Sequence, residues 1–450
     1  MTGAEPDLLI EDLHSSLVDP ALETMNFLNE VAARFPGAVS FAAGRPHEEF
    51  YDLDAIPRHL RTFQRYLERE KGVDPGEVRR TVLQYGRTKG VIHELLARNL
   101  RLDEGIDADP QSIVVTVGCQ EAMFLVLRAL CAHEDDIVLA VAPRYVGLTG
   151  AARLLDREVW PVRETASGVD LGHLVEQIAA ARAASKRPRA CYLIPDFANP
   201  SGLRLDLGTR KALLAIAERH DLLLLEDNPY GLFQADDEPR PPTLKALDTG
   251  RRVIYLGSLA KTCFPGARVG YLVADQRVAT ATSATVLLAD EISKLKSMLT
   301  INTSPLTQAI VAGRLLEHGC SLVAATRAEN AVYRRNMRLL REGLERRFPR
   351  SGPLKVTWNA PAGGFFVVLT VPFAADDDAL EYSARHHGVL WTPMTHFYGA
   401  GEGGGTHQMR LSVSVMTPEQ IDAGLERLLS LVTDRAGQKA GSVSDAQGKG

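Results

Sequence analysis

The sequence predicts an α/β protein with a mostly parallel central sheet in a large domain and a small α+β domain formed by the N- and C-terminal parts of the chain. Two patterns carry this prediction. From about residue 110 to 275, short apolar runs alternate with amphipathic segments, and the C-terminal part then repeats a strand–helix order in a shorter series. A chain of 450 residues is long enough for two such units.

Five apolar runs predict the strands of the large sheet. They cover residues 113–117, 137–141, 190–194, 222–225 and 253–256. Runs this short and this continuously apolar are typical of strands covered on both faces, as in parallel sheets. Between them, segments such as 121–130 and 210–219 have the apolar spacing of amphipathic helices.

The remaining segments define the domain limits. A helical pattern with two breaks covers residues 304–347, followed by a strand at 365–371, a helix at 377–386, a strand at 408–413 and a helix at 418–432. We expect residues 1–75 to form an N-terminal arm and part of the small domain, 76–330 the large domain, and 331–433 the rest of the small domain. Residues 434–450 contain few apolar side chains and are predicted to be disordered.

Composition excludes several functional classes. The formal charge of −5 provides no basic stripe, so no nucleic-acid partner is predicted, and no apolar run approaches the roughly 20 residues that cross a bilayer. The N-terminus is acidic and lacks a signal pattern, and the five cysteines form no CxxC pair, which favours a reduced, cytoplasmic protein. The histidines, His386 and His387 included, lack metal-ligand spacing, so no metal is predicted.

The segment around Lys261 contains the groups that a phosphorylated aldehyde cofactor requires. Lys261 follows the fifth apolar run, with Ser258 three residues before it and Arg268 seven residues after it. An amine can form an imine with an aldehyde, while a hydroxyl and a guanidinium can hold a phosphate nearby. The pattern predicts a cofactor bound to this lysine.

Polar side chains also follow the third and fourth runs. Asp227 lies at the end of a buried strand, where a carboxylate can pair with a protonated pyridine nitrogen. Tyr230 and Asn199 can donate to the phenolic oxygen of such a ring. Taken singly, each has an ordinary alternative: an N-cap or surface salt bridge for Asp227, packing for Tyr230, and a turn for Asn199.

The first two runs end in further candidates. Gly118, Cys119 and Gln120 open a helix, where backbone N–H groups can approach an anion, and Tyr145 can stack on an aromatic ring. A common strand–glycine–helix turn and a packed tyrosine are the alternatives. Because the carboxyl ends of parallel strands meet at one edge, we expect all these residues to form one site.

Together these motifs resemble the fold-type I pyridoxal-phosphate aminotransferases of class I/II over nearly the whole chain. The resemblance implies pyridoxal 5′-phosphate as the cofactor and Lys261, Asp227 and Tyr145 as catalytic residues. Lys261 would be the imine lysine and proton carrier, Asp227 the partner of the pyridine nitrogen, and Tyr145 the stacking ring. The other cofactor-binding residues implied are Gly118, Cys119, Gln120, Ser258 and Arg268 at the phosphate, and Asn199 and Tyr230 at the phenolic oxygen.

Substrate and partner residues follow from the same resemblance. Arg410, in Gln408-Met-Arg-Leu-Ser, matches the arginine that binds the substrate α-carboxylate, and Gly44 and Asn199 match substrate-binding positions. Tyr85, in Leu83-Gln-Tyr-Gly-Arg, is similar to the tyrosine that reaches the phosphate of the partner subunit, which implies a homodimer. Two positions depart from the family pattern: Ala260 replaces a second phosphate-binding serine, and Ala198 replaces a frequent glutamine.

Within the family, residues 16–20, 25–30 and 260–268 look most similar to the hydroxyphenylglycine and dihydroxyphenylglycine aminotransferases, which make arylglycine units of peptide antibiotics. The resemblance implies ping-pong transamination between an amino acid and a 2-oxo acid. A 2-aminoadipate or aromatic aminotransferase and a lyase or decarboxylase on the same fold stay open, and a cofactor-sensing regulator domain is disfavoured by the acidic N-terminus. Residues 396–398 are expected to line the side-chain pocket, and 401–405 to form a loop at its mouth.

Overall fold

The computed structural model describes residues 7–19, 22, 27, 30, 33–166, 168–235, 239–399 and 401–447. Most of the segment 25–30 therefore lies outside the described residues. In chain order the strands are β1 (Val39–Ser40), β2 (Ile113–Thr116), β3 (Asp136–Ala142), β4 (Val159–Thr165), β5 (Gly168–Val169), β6 (Arg187–Leu193), β7 (Leu223–Asp227), β8 (Val253–Ser258), β9 (Gly270–Val273), β10 (Arg277–Ala279), β11 (Thr285–Leu287), β12 (Thr357–Trp358), β13 (Phe366–Thr370), β14 (Val389–Leu390), β15 (Thr392–Pro393) and β16 (Gln408–Ser412).

The helices alternate with these strands. In chain order they are α1 (Ala55–Arg65), α2 (Pro75–Leu83), α3 (His93–Asn99), α4 (Gly118–Leu130), α5 (Val146–Arg153), α6 (Leu171–Ala183), α7 (Leu207–His220), α8 (Leu244–Leu247), α9 (Leu288–Leu299), α10 (Pro305–Glu317), α11 (Leu322–Ala325), α12 (Arg327–Arg347), α13 (Asp377–Tyr382) and α14 (Pro418–Gln447). Within the described ranges, no helix is both long enough and apolar enough to cross a membrane.

The large sheet has eight strands in the order β2-β9-β8-β7-β6-β3-β4-β5. Strands β4, β3, β6, β7 and β8 are parallel to their neighbours within this run, whereas β9 is antiparallel to both β8 and β2. The five predicted strands are confirmed as β2, β3, β6, β7 and β8. The sequence missed β4, which is largely half-exposed and contains Pro161 and Arg163, and β9, which is only four residues long.

Helices cover both faces of this sheet, as the continuous apolar runs predicted. On β6, Ala190 and Tyr192 pack on the side of α4 and α5, while Cys191 and Leu193 pack on the side of α6 and α7. Each fully buried aliphatic side chain of such layers stabilises the fold by about 1.5–3 kcal/mol. The two layers fix the carboxyl ends of β3, β6, β7 and β8 at one edge.

The smaller α+β part is built on a second sheet, in the order β12-β13-β16-β15. Helices α12, α13 and α14 pack on it through a shared apolar cluster that also contains Phe41 and Ala42. Strand β1 pairs in parallel with β14, so the segment around residues 39–42 joins this part of the molecule.

Two features differ from the sequence expectation. Helix α1 packs against the large sheet and not against the smaller α+β part, because Phe63 belongs to the apolar cluster that contains side chains of β2 and α10. Helix α14 continues through Gln447, beyond residue 434, from which the sequence predicts disorder. The part of the helix before residue 434 supplies the nucleus from which these further turns extend.

Candidate active site

A cavity of about 570 Å³ lies at the carboxyl edge of the large sheet, between the sheet and the smaller α+β part. Strand ends, the start of α4 and the β16 strand all contribute to its wall. The predicted site residues that line it are Gly44, Cys119, Gln120, Tyr145, Asn199, Asp227, Tyr230, Ser258, Lys261, Arg268 and Arg410. These residues therefore line one cavity, and the roles assigned to them stay predictions.

Lys261 lies in the loop after β8, with its amine directed into the cavity. Its Nζ donates to the backbone oxygen of Gly44 at 2.8 Å and lies 6.0 Å from the centre of the Tyr230 ring. Burial lowers the pKa of Lys261 to about 8, and the charges of Arg410 and Arg268 act in the same direction. A larger fraction of this amine is therefore neutral, and so nucleophilic, near neutral pH.

Asp227 ends β7 and is buried at the cavity wall. Its Oδ2 accepts a hydrogen bond from Tyr192 Oη at 2.6 Å, and Cys119 Sγ lies 3.7 Å from Oδ1. Burial raises the pKa of Asp227 to about 6, while the two donors lower it. A partly desolvated carboxylate of this kind is suited to pair with a cationic ring nitrogen.

Asn199 accepts a hydrogen bond from Arg410 at the cavity wall, with 2.6 Å between Arg410 Nη1 and Asn199 Oδ1. Tyr230 lines the same cavity. Burial raises the pKa of the Tyr230 hydroxyl above its usual value, and Asn199 lowers it, so the hydroxyl stays protonated and remains a donor. Arg410 and Asn199 therefore form a hydrogen-bonded pair beside Tyr230.

Arg410 is buried in the middle of β16, between the rings of Phe366 and Phe397, whose centres lie 4.4 and 5.0 Å from its guanidinium carbon. Its Nη2 donates to Ala42 O at 2.9 Å and Thr392 Oγ1 at 3.2 Å, whereas its Nε has no hydrogen-bond partner among the described residues. Burial lowers the pKa of Arg410 to about 10. No acidic side chain in the described part of the chain pairs with this cation, which leaves it available to an anionic ligand.

The start of α4 has the form of an anion cradle. Gly118 has φ +71°, and a Cβ added there would lie 2.6 Å from Arg268 Nη2, so glycine is required for the guanidinium to lie across the helix start. Ser258, the last residue of β8, lies on the same wall. Ala260 also lines the cavity, so the departure from the family pattern removes one hydroxyl from this region.

Tyr145 caps the start of α5 and borders the cavity next to Gln120. Burial raises the pKa of Tyr145 to about 12, with Asp227 and Cys119 acting in the same direction. The Gln120 amide donates to Gly147 O at 2.8 Å, so its side chain stabilises the turn after Tyr145. A flat ligand could thus be bordered by the Tyr145 ring on one side.

The chain matches the family described as Aminotransferase class I and II over residues 57–428. This chain belongs to that family. It is a pyridoxal-phosphate-dependent aminotransferase with the fold-type I architecture, as predicted.

The relatives agree with this assignment. The (S)-3,5-dihydroxyphenylglycine transaminase of Amycolatopsis orientalis is 53% identical over 433 residues, which cover 96% of each chain. The 2-aminoadipate transaminase of Thermus thermophilus is 31% identical over 404 residues, covering 87% of this chain and 89% of the relative. Among solved structures, the kynurenine aminotransferase of Pyrococcus horikoshii, in complex with PMP, has a TM-score of 0.78 at 25% identity and covers 95% of this chain and 97% of its own.

The residues of the aminotransferase cavity fit the cofactor of the family. The cradle at Gly118 would be filled by a Cβ, and Arg268 beside it has no acidic partner among the described residues, which suits a phosphate. An amine and a carboxylate border the same cavity. No group of three or more His, Cys, Asp or Glu in the described ranges could hold a metal ion.

Some predicted residues lie elsewhere in the aminotransferase. Tyr85 is 74% exposed and does not line the cavity of its own chain. Of residues 396–398, only Phe397 borders this cavity, so the prediction was wrong for the other two. His396 and Tyr398 line a neighbouring cavity of about 420 Å³, because the short helical turn that carries these residues directs alternate side chains apart.

Sequence reasoning also missed residues that support the site. Tyr192 holds Asp227, and Glu121 Oε2 accepts from Val117 N at 2.6 Å and from Lys296 Nζ at 2.8 Å beneath the start of α4. The alternation of side chains along a strand could have indicated Tyr192. It lies on the same sheet face as Ala190, two residues before it, and its strand pairs with β7. The Glu121–Lys296 pair joins residues 175 positions apart and has no local signal.

Proposed function

We propose that this aminotransferase interconverts an arylglycine and its arylglyoxylate, with 3,5-dihydroxyphenylglycine or 4-hydroxyphenylglycine as the amino acid and with peptide-antibiotic synthesis as its use. The observation that carries the proposal is the 53% identity over 96% of both chains to an enzyme named for the first of these compounds. A match of 433 residues spans the segments of both terminal parts of the chain that form the pocket.

The cofactor would be held by the residues around the cavity. We assign Lys261 to its aldehyde, Asp227 to its ring nitrogen, Tyr145 to its ring face, and Asn199 and Tyr230 to its phenolic oxygen. The phosphate would contact the residues of the cradle, which are Gly118, Cys119, Gln120, Ser258 and Arg268. When bound, pyridoxal phosphate supplies the electron sink that allows a proton to leave the α-carbon of the substrate.

The side chains of the protein would bind and orient the substrate and would transfer its α-proton. Arg410 would bind the α-carboxylate through its charge and through the guanidinium N–H groups that the protein leaves free, one of which is on Nε. Asn199 and the backbone oxygen of Ala42 keep the guanidinium in place. Lys261 Nζ, with its lowered pKa, would accept the proton from the α-carbon of the amino acid and deliver it to the C4′ carbon of the cofactor.

Aromatic side chains near Arg410 support the choice of an arylglycine. In such a substrate the ring is attached directly to the α-carbon, so it must lie within a few bonds of the carboxylate. The rings of Phe366 and Phe397 border the guanidinium, and Phe397, Tyr145 and Tyr230 line the same cavity as Arg410. Aromatic pairs contribute about 0.5–1.5 kcal/mol beyond the burial of their area.

A 2-aminoadipate transaminase is the second candidate, and Arg45 is the observation that favours it. Arg45 lines the cavity next to Gly44, and its one ion pair among the described residues is an exposed contact with Glu48 at 3.4 Å. A cation at this place could meet a second carboxylate. An Arg45→Gln variant would lose kcat/KM selectively for 2-oxoadipate if that substrate is the native one.

We propose a homodimer in which Tyr85 reaches the phosphate of the partner subunit. The support is an apolar surface around Tyr85, to which Leu83, Met298, Leu299, Ile301 and Leu306 contribute; Met298 is 87% exposed. The two segments adjoin, since a Cβ on Gly86 would lie 3.2 Å from Pro305. An exposed apolar surface of this kind is typical of a subunit interface. Sedimentation of the wild type as a monomer at micromolar concentration would contradict this proposal.

The cytoplasm is the compartment we propose. All five cysteines are free, as expected where thiols stay reduced.

A donor–acceptor screen of the purified holoenzyme tests the substrate proposal. Arylglyoxylates, 2-oxoadipate and arylpyruvates are each offered with a series of amino donors, and products are identified by chiral chromatography. We expect the highest kcat/KM with a hydroxylated arylglyoxylate. A preference for 2-oxoadipate would replace the arylglycine proposal, and release of an amine and carbon dioxide would indicate a decarboxylase instead.

A further inference from the structure

Two buried donors lie on the carboxylate of Asp227. Tyr192 Oη donates to Oδ2 at 2.6 Å, and Cys119 Sγ lies 3.7 Å from Oδ1. Tyr192 is fully buried, and its only hydrogen-bond partner among the described residues is this carboxylate. The thiol of Cys119 therefore faces Asp227, while its backbone lies at the helix start that is predicted to bind the phosphate.

The sheet itself brings Tyr192 to Asp227. On the parallel strands β6 and β7, Tyr192 is the register partner of Leu225, and both pack in the same apolar layer. Asp227 is two residues beyond Leu225 and so projects from the same face. The start of α4 adds Cys119 from above, which places one donor on each carboxylate oxygen.

We propose that Tyr192 and Cys119 are positioning residues that keep Asp227 ionised and aimed into the cavity. Tyr192 occupies Oδ2 with a short bond. The Cys119 thiol has one proton and two acceptors within reach, Asp227 Oδ1 and Gly257 O, the latter at 3.5 Å. Because the proton is shared between these two acceptors, the thiol leaves Oδ1 accessible to a ligand. This inference rests on the proposed role of Asp227 at the cofactor nitrogen.

The electrostatic consequence has a definite sign. The titratable groups that face the Asp227 carboxylate are Cys119, Tyr145, Tyr192 and Tyr230, all uncharged at neutral pH. Burial raises the pKa of Asp227 to about 6, and the bonds from Tyr192 and Cys119 oppose that rise. Removal of the Tyr192 hydroxyl raises the pKa of Asp227 further, so Asp227 becomes protonated at a higher pH.

The test is retention of the cofactor by Tyr192→Phe holoenzyme. The holoenzyme is diluted into buffers that bracket pH 6, and bound cofactor is measured by its visible absorbance. At neutral pH we expect Tyr192→Phe to bind the cofactor at least about tenfold more weakly, equivalent to about 1.4 kcal/mol. We also expect the acid limit, the pH below which the cofactor is lost, to rise by about one pH unit. Tyr255→Phe is the matched control, because Tyr255 is fully buried on β8 and faces Tyr271 rather than Asp227.

An unchanged acid limit in Tyr192→Phe, or an equal shift in Tyr255→Phe, would overturn the inference. If Tyr192→Phe does not fold, Cys119→Ala decides: a smaller shift in the same direction supports the inference, and no shift refutes it. Asp227→Asn separates the two proposals. If it weakens cofactor binding while Tyr192→Phe does not, only the positioning role fails; if Asp227→Asn binds normally, the role of Asp227 itself fails.

Discussion

Replacement of Arg410 by lysine tests how the substrate carboxylate is bound. Arg410 has three nitrogen atoms in one plane: Nη1 bonds Asn199, Nη2 bonds Ala42 O and Thr392, and Nε has no partner. Lysine keeps the positive charge but offers a single nitrogen. It cannot hold its protein partners and two carboxylate oxygens in the same geometry.

The expected loss follows from the bonds removed. A hydrogen bond to a charged group contributes about 1.5–3 kcal/mol, so loss of one carboxylate bond lowers kcat/KM by about 10- to 150-fold. Most of the change should appear in KM, because the carboxylate is bound equally in the ground state and the transition state.

Steady-state kinetics with a paired substrate series measures this loss. Each arylglycine is compared with the arylmethylamine that lacks the carboxylate, so that effects on the ring pocket cancel. Arg427→Lys serves as the control variant, since Arg427 bonds the backbone of Gly388 away from the cavity and should leave kcat/KM unchanged. Equal losses for amino acid and amine in Arg410→Lys would refute the assignment.

Two further predictions concern the start of α4. Glu121→Gln breaks a buried ion pair with Lys296 and should lower the free energy of unfolding by about 3–5 kcal/mol in urea titrations. The double variant Glu121→Leu/Lys296→Met should have a free energy of unfolding closer to that of the wild type. A loss in the double variant equal to the sum of the losses in the two single variants would contradict this prediction. Gly118→Ala adds a Cβ at φ +71° that meets Arg268, so cofactor dissociation constants should rise about tenfold, whereas Gly437→Ala, with nothing within 4 Å, should have no effect.

The sequence predicted those parts of the site that depend on strand order. Gly118, Tyr145, Asn199 and Asp227 each follow an apolar run, and parallel strands bring such positions to one edge whatever the packing of the helices. Lys261 follows the fifth run in the same way. The cavity therefore contains nearly every residue assigned to it.

What the sequence could not predict depends on contacts between distant segments. The Glu121–Lys296 pair and the Phe397 ring beside Arg410 arise only once α9 and the small sheet have packed. The contact proposed between Tyr85 and the phosphate involves a second copy of the chain, and the sequence of one chain does not specify how two copies pack. Helix α14 extends beyond its apolar pattern because a helix, once nucleated, continues through residues of adequate propensity.

We propose that the Lys261 amine carries both the cofactor and the transferred proton. The most direct measurement is the visible spectrum and single-turnover rate of Lys261→Ala after incubation with pyridoxal phosphate, beside Lys211→Ala, which lies on α7 outside the cavity. We expect Lys261→Ala to lack the absorbance band of the lysine-bound cofactor and to lose turnover, while the control keeps both. Wild-type turnover in Lys261→Ala would contradict the account.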